Sequence, residues 1–154
     1  MDSPSKSDTA SENLARQRLR LWLQMLKATR HVEGLLRERL RSGYDTTLPR
    51  FDVLATLHDT PEGMKMSELS QHLVVSNGNV TGVVDRLVGE GLAERTNLKS
   101  DRRAFLVRIT DKGRALMDEM AAEHLVWINE LFEDVTEPDA ARAISIMLDI
   151  RHKK

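Results

Sequence analysis

Cysteine is missing from the chain altogether. That excludes disulfides, Cys-ligated zinc, thiol nucleophiles and thiol redox sensing in one step. Proline and glycine are scarce, at 4 and 8 of 154 residues, which excludes collagen-like and low-complexity chains. No apolar run approaches the ~20 residues that span a bilayer. The first residues, Met1-Asp2-Ser3-Pro4-Ser5-Lys6-Ser7, carry no apolar stretch of the signal-peptide kind, so a cytoplasmic protein is expected. Gly-x-Ser-x-Gly, the P-loop and His-Glu-x-x-His are all absent, and no carboxylate pair sits in a cleft motif, so no enzyme is expected. The five histidines, His31, His58, His72, His124 and His152, lack ligand spacing and read as ordinary core or surface residues. No metal and no cofactor is expected.

The remaining composition suits a single globular domain. Hydrophobic residues make up 40% and the formal net charge is −1. A soluble chain of this length buries roughly 70% of its unfolded surface. Charge is balanced overall but not locally. Residues 14–42 hold eight basic and two acidic side chains, residues 95–108 hold five and one, and residues 111–140 are net acidic. Such separation points to an anion-binding surface on part of the molecule.

Residues 1–12, rich in Ser and Asp, read as a disordered tail. From Leu14 to Ser42 a helix is expected, with Leu19, Trp22, Leu26, Val32, Leu36 and Leu40 at helical spacing and Gly43 ending it. Thr47 and Pro49 suit the start of a second helix, striped by Phe51, Leu54, Ala55 and Leu57. Two short helices follow, one capped by Ser67, the other capped by Ser76 and running from Asn77 to about Glu90, with Gly91 as its stop. That spacing fits a helix-turn-helix. The period then changes from 3.6 to 2. Leu92–Leu98 and Ala104–Ile109 read as a hairpin with the polar tip Lys99-Ser100-Asp101-Arg102-Arg103, the arrangement called a wing. Thr110 caps a helix to about Asp134, and Thr136-Glu137-Pro138-Asp139 opens a last one.

The helix from Asn77 carries the chemistry. Val80, Val83, Val84 and Leu87 share one face, while Gly78, Thr81, Gly82, Asp85, Arg86 and Gly89 occupy the other. An ordinary surface helix would avoid glycine there, since each costs ~1 kcal/mol relative to Ala. Small polar residues make sense where a flat polar surface must come close, as when a helix enters the DNA major groove. Asn can pair bidentately with adenine, and a Thr methyl can meet the thymine methyl. Asp85 opposes this, because phosphates repel it unless an Arg pairs with it or it points at a base such as cytosine. At the wing tip, Arg102 and Arg103 suit a narrow minor groove, and Asp101 can orient one of them.

The segment Arg86-Leu87-Val88-Gly89-Glu90-Gly91-Leu92-Ala93-Glu94-Arg95, then Asp101-Arg102-Arg103-Ala104, then Ile109-Thr110-Asp111-Lys112-Gly113 closely resembles the MarR family of bacterial regulators. The resemblance covers about residues 14–150. It implies a mainly α fold with a small antiparallel β wing. Residues 48–110 would form a winged helix-turn-helix DNA-binding lobe, and residues 13–47 with 111–154 a helical dimerisation lobe. Ser76, Asn77, Gly78, Asn79, Thr81 and Arg86 match the recognition helix, Arg103 the wing arginine, and Asp101 the acid that positions it. The family also often has an acid where Asp85 stands. By resemblance the partners are a palindromic double-stranded operator and a second copy, joined through the first and last helices.

The lack of cysteine excludes the oxidation-sensing branch, and the unclustered histidines argue against the metal-sensing branch. By resemblance to the family, a small aromatic acid or its CoA thioester is the expected effector, releasing a repressor from DNA at the bacterial nucleoid. Residues 48–54 and 76–82 are similar to a branch that controls hydroxycinnamate catabolism. The region where the family binds such ligands contains Trp22, Met25, Arg30, His31, Arg50, Phe51 and Leu54. The competing reading is a winged-helix protein-interaction module without specific DNA binding, against which the intact Arg102 and Arg103 argue.

Overall fold

The computed structural model describes the backbone of residues 6–73, 79–98 and 101–153, and the side chains there except those of residues 6–10, 98 and 101–104. Six helices and three strands follow in the order α1 (Lys6–Tyr44), α2 (Leu48–His58), β1 (Met64–Lys65), α3 (Met66–His72), α4 (Val80–Gly89), β2 (Ala93–Leu98), β3 (Asp101–Ile109), α5 (Asp111–Leu131) and α6 (Glu137–Arg151). The architecture is the expected one, mainly α with a small antiparallel wing.

The first helix differs from expectation at both ends. It begins at Lys6, so the disordered tail assigned to residues 1–12 does not hold for residues 6–12. Those residues show no apolar stripe, but extending an existing long helix costs little compared with nucleating one. Glu12 and Arg16 also pair across one turn at 2.5 Å. At the other end the helix passes through Gly43 to Tyr44. Asp45 takes the left-handed conformation (φ 47°), and the Thr46 N–H closes back on the Leu40 carbonyl at 3.3 Å.

Capping sets the other boundaries. Thr47 accepts from the Arg50 N–H, Thr110 from Gly113 and Thr136 from Asp139, each relieving an amide the first turn leaves unpaired. α3 starts one residue before the expected Ser67 cap, because Glu68 Oε2 reaches back to the Lys65 N–H at 2.8 Å.

The sheet has the order β1-β3-β2, antiparallel throughout. Sequence reading missed β1, because two residues are too short for period 2 to register. Its register is Met64 against Val107. One core joins these elements. Leu40 of α1, Val53, Leu54 and Leu57 of α2, Leu69 of α3, Val84 and Leu87 of α4, Val107 of β3 and Met120 of α5 are fully buried. At its edge Arg39 lies 5.8 Å over the Trp127 ring and pairs with Glu130 at 2.7 Å. Tyr44 faces the same ring at 6.4 Å. Burial, then Glu119 and Glu123, hold the Tyr44 hydroxyl above its usual 10.0.

Candidate nucleic-acid interface

α4 buries Val80, Val84 and Leu87 and exposes Thr81, Asp85, Arg86 and Gly89. The small polar face read from the sequence is therefore on the outside. Its start is not where the sequence put it. The N-cap is Asn79, whose Oδ1 accepts from the Gly82 N–H at 2.9 Å, and the helix proper begins at Val80. The expected Ser76 cap, with Asn77 and Gly78, lies outside the described residues. Asn and Ser cap about equally well, so spacing alone does not choose between Ser76 and Asn79. The cap bond engages the Asn79 side-chain oxygen and leaves its Nδ2 out of that bond.

The other end of α4 is a Schellman motif. Gly91 sits at φ +72°, its N–H reaches the Val88 carbonyl at 3.0 Å, and the Leu92 N–H reaches that of Leu87 at 2.8 Å. A left-handed φ there explains Gly91 as the stop.

Asp85 has the arginine partner its position requires. Arg95, on β2, pairs with its carboxylate, and the same guanidinium lies 4.9 Å over the Phe105 ring of β3. Sequence reading counted Arg95 only as charge. The signal was available, since an acid on a face meant for phosphates needs a nearby cation. This contact ties the wing to the recognition helix. In the wing the ladder runs further than expected, with Leu98 opposite Asp101 after a shift at Asn97/Leu98. Asp101, Arg102 and Arg103 therefore open β3 rather than forming a free tip.

The seven residues expected to line a ligand pocket do not converge. Trp22 and Met25 border a cleft of about 450 Å³ between α1 and α6, with Arg18, Ile146, Ile150 and Lys153. Arg30 and His31 are exposed on α1. Arg50 pairs with Glu90, Phe51 stacks on His124 with ring centroids 4.9 Å apart, and Leu54 is 1% exposed in the core. α2 turns its stripe into the winged lobe, whereas α1 leaves its N-terminal half uncovered. Among the described residues, no three of His, Asp and Glu cluster as a metal would need, and no helix is long and apolar enough to cross a membrane.

A capped recognition helix, a short turn-in strand and an arginine-bearing hairpin define a winged helix-turn-helix. Residues 46–105 match the MarR family model. A MarR family transcriptional regulator from Silicibacter pomeroyi is 31% identical, with a TM-score of 0.76 covering 88% of this chain and 94% of that one. An HTH-type transcriptional regulator from Bacillus cereus is 26% identical over 133 residues, 86% of this chain and 87% of its own length. Sco3205 from Streptomyces coelicolor, a MarR family regulator solved in complex with DNA, is 21% identical, with a TM-score of 0.75 covering 97% of this chain and 90% of that one. The chain belongs to the MarR family, and its relatives are transcriptional regulators rather than enzymes.

Proposed function

We propose that the chain is a homodimeric repressor that binds a palindromic DNA duplex and is released by a small anionic aromatic ligand or its CoA thioester. One observation carries the reading. Among the described residues, every exposed large hydrophobic lies at residues 14–23 of α1 or between residues 125 and 150, and none lies in between. Leu19 is 59% exposed, Leu125 62% and Ile144 60%, and α6 buries no residue at all. Exposed apolar side chains concentrated on the first and last helices mark an interaction surface, and a second copy is the partner that pairs like helices by two-fold symmetry. The polar face of α4 and the wing are left free to meet DNA. On this reading residues 48–110 contact DNA, and residues 13–47 with 111–154 join the copies.

Ser76, Asn77, Gly78, Asn79, Thr81 and Arg86 would enter the major groove, and Arg102 and Arg103, steadied by Asp101, the minor groove. The effector acts only by preferring a dimer whose recognition helices are wrongly spaced, since equal affinity for both shapes shifts nothing. The cationic residues lining the Trp22 cleft, Arg18 and Lys153, suit an anionic ring compound. The test selects bound duplex from a random pool, then rescreens it against aromatic acids and their CoA esters. A palindrome whose affinity falls steeply with salt supports the reading. Indifference to every duplex overturns it, and indifference to every acid and ester overturns the effector part alone.

A further inference from the structure

The C-terminal end of the recognition helix is held by an unusual concentration of bonds from the next helix. Three successive carbonyls beyond α4 accept from the start of α5. Lys112 Nζ donates to the Glu90 carbonyl at 2.9 Å, Thr110 Oγ1 to that of Gly91 at 2.7 Å, and the Thr110 N–H to that of Leu92 at 3.1 Å. Gly113 lies so close that a Cβ there would overlap the Leu92 oxygen and come within 2.9 Å of Ile109 Cγ1. On the other side Arg50 of α2 pairs with the Glu90 carboxylate. Arg50 is largely buried, and its Nε has no partner among the described residues.

We infer that Lys112, Thr110 and Gly113, with the Arg50–Glu90 pair, make α4 and α5 a single lever, and that Lys112 and Arg50 are positioning residues for the reading of DNA sequence. This inference rests on the proposed DNA-binding reading. α5 has 21 residues and spans about 31 Å, and α4 about 15 Å, at ~1.5 Å per residue. A tilt of roughly 10° about the joint moves the Asn79 end of α4 by about 2.6 Å, enough to lose a hydrogen bond to a base edge. Movement in the helical half, into which α5 runs, therefore reaches the recognition helix directly. Lys112 has no need to touch DNA for this.

The test uses the full chain and a duplex selected from a random pool, with a scrambled duplex as reference. Lys112→Met keeps the aliphatic stem and removes the donor. Its selected-to-scrambled affinity ratio should fall roughly ten-fold, with melting temperature and salt slope unchanged. Lys112→Arg should recover most of that ratio. Arg50→Met combined with Glu90→Gln, which removes the pair without stranding a charge, should lower the same ratio. An unchanged ratio in both sets overturns the inference. So does a salt slope shallower by about 0.9 in Lys112→Met with equal losses on both duplexes, because that makes Lys112 a phosphate ligand. If the unsubstituted chain prefers no duplex, the DNA-binding reading itself has failed, and that is seen before any variant is made.

Discussion

Replacing Gly113 by alanine isolates the close approach between α4 and α5. Gly113 is on the first turn of α5, where its N–H bonds to Thr110 Oγ1 at 3.0 Å. An alanine Cβ would overlap the Leu92 carbonyl oxygen and lie 2.9 Å from both the Leu92 carbonyl carbon and Ile109 Cγ1. The first two are main-chain atoms fixed by the Schellman turn and the Thr110 bond, so the strain cannot be relieved by one side-chain rotation. Overpacking of this kind costs about 1–3 kcal/mol, and more where backbone must shift. Pushing the strands apart also stretches the Thr110–Leu92 bond, worth about 1 kcal/mol. Against this, alanine gains ~1 kcal/mol over glycine in helix propensity. The balance is a loss of about 1–3 kcal/mol, or roughly 2–12 °C in melting temperature for a chain of this size. Thermal melts followed by circular dichroism at one fixed protein concentration measure it, the concentration mattering because association would add to apparent stability. An alanine variant that melts at or above the parent temperature would refute the geometry, since propensity would then be the only effect present.

Other expectations are more direct. Asn79→Ala loses the α4 cap and should cost about 1 kcal/mol in a urea melt, whereas Asn79→Ser keeps a capping oxygen. If the amide reads a base, the serine variant relaxes one operator position without losing stability, and a strict operator preference in that variant makes Asn79 a cap only. Arg103→Ala should weaken binding mainly at A·T-rich flanks, checked by titrating duplexes that differ only there. Ile144→Glu with Leu125→Glu should give a monomer by light scattering while leaving the circular dichroism spectrum helical, because neither side chain is in the core; a persistent dimer would put the interface elsewhere. Burial depresses the His124 imidazole below its usual 6.5. The unfolded chain then takes up this proton more readily than the folded one, so the stability involved is complete above pH 6.5 and lost as pH falls below it. Melting temperature should drop over that range, less steeply in the ring-conserving His124→Phe. Parallel curves would mean that His124 is protonated in place.

What the sequence revealed follows from which forces are local. Caps are local, so Thr47, Thr110, Thr136 and the Gly91 stop could be placed from residue type and spacing alone. The small face of α4 was legible because glycine and threonine depart from what solvent-exposed helices favour. Boundaries set by competition were not. Asn79 and Ser76 offer similar caps, and Gly43 is a better helix stop than Asp45 by propensity. The hydrogen bond from Thr46 to Leu40, with Leu40 fully buried, nonetheless places the turn at Asp45. The seven residues expected at a ligand site lie apart for a different reason. Trp22 and Leu54 both sit on apolar helical stripes, yet one is 52% exposed and the other 1%. A stripe states that a face will be covered but not by what. For α2 the cover is its own lobe. For α1 and α6, whose apolar side chains face outward, the proposed cover is a second copy, so in this reading the effector cleft beside Trp22 and the joining surface share one face. A ligand that enters it and prefers one arrangement of the copies then alters how they sit, and in this reading the α4–α5 lever supplies a route from that face to the DNA.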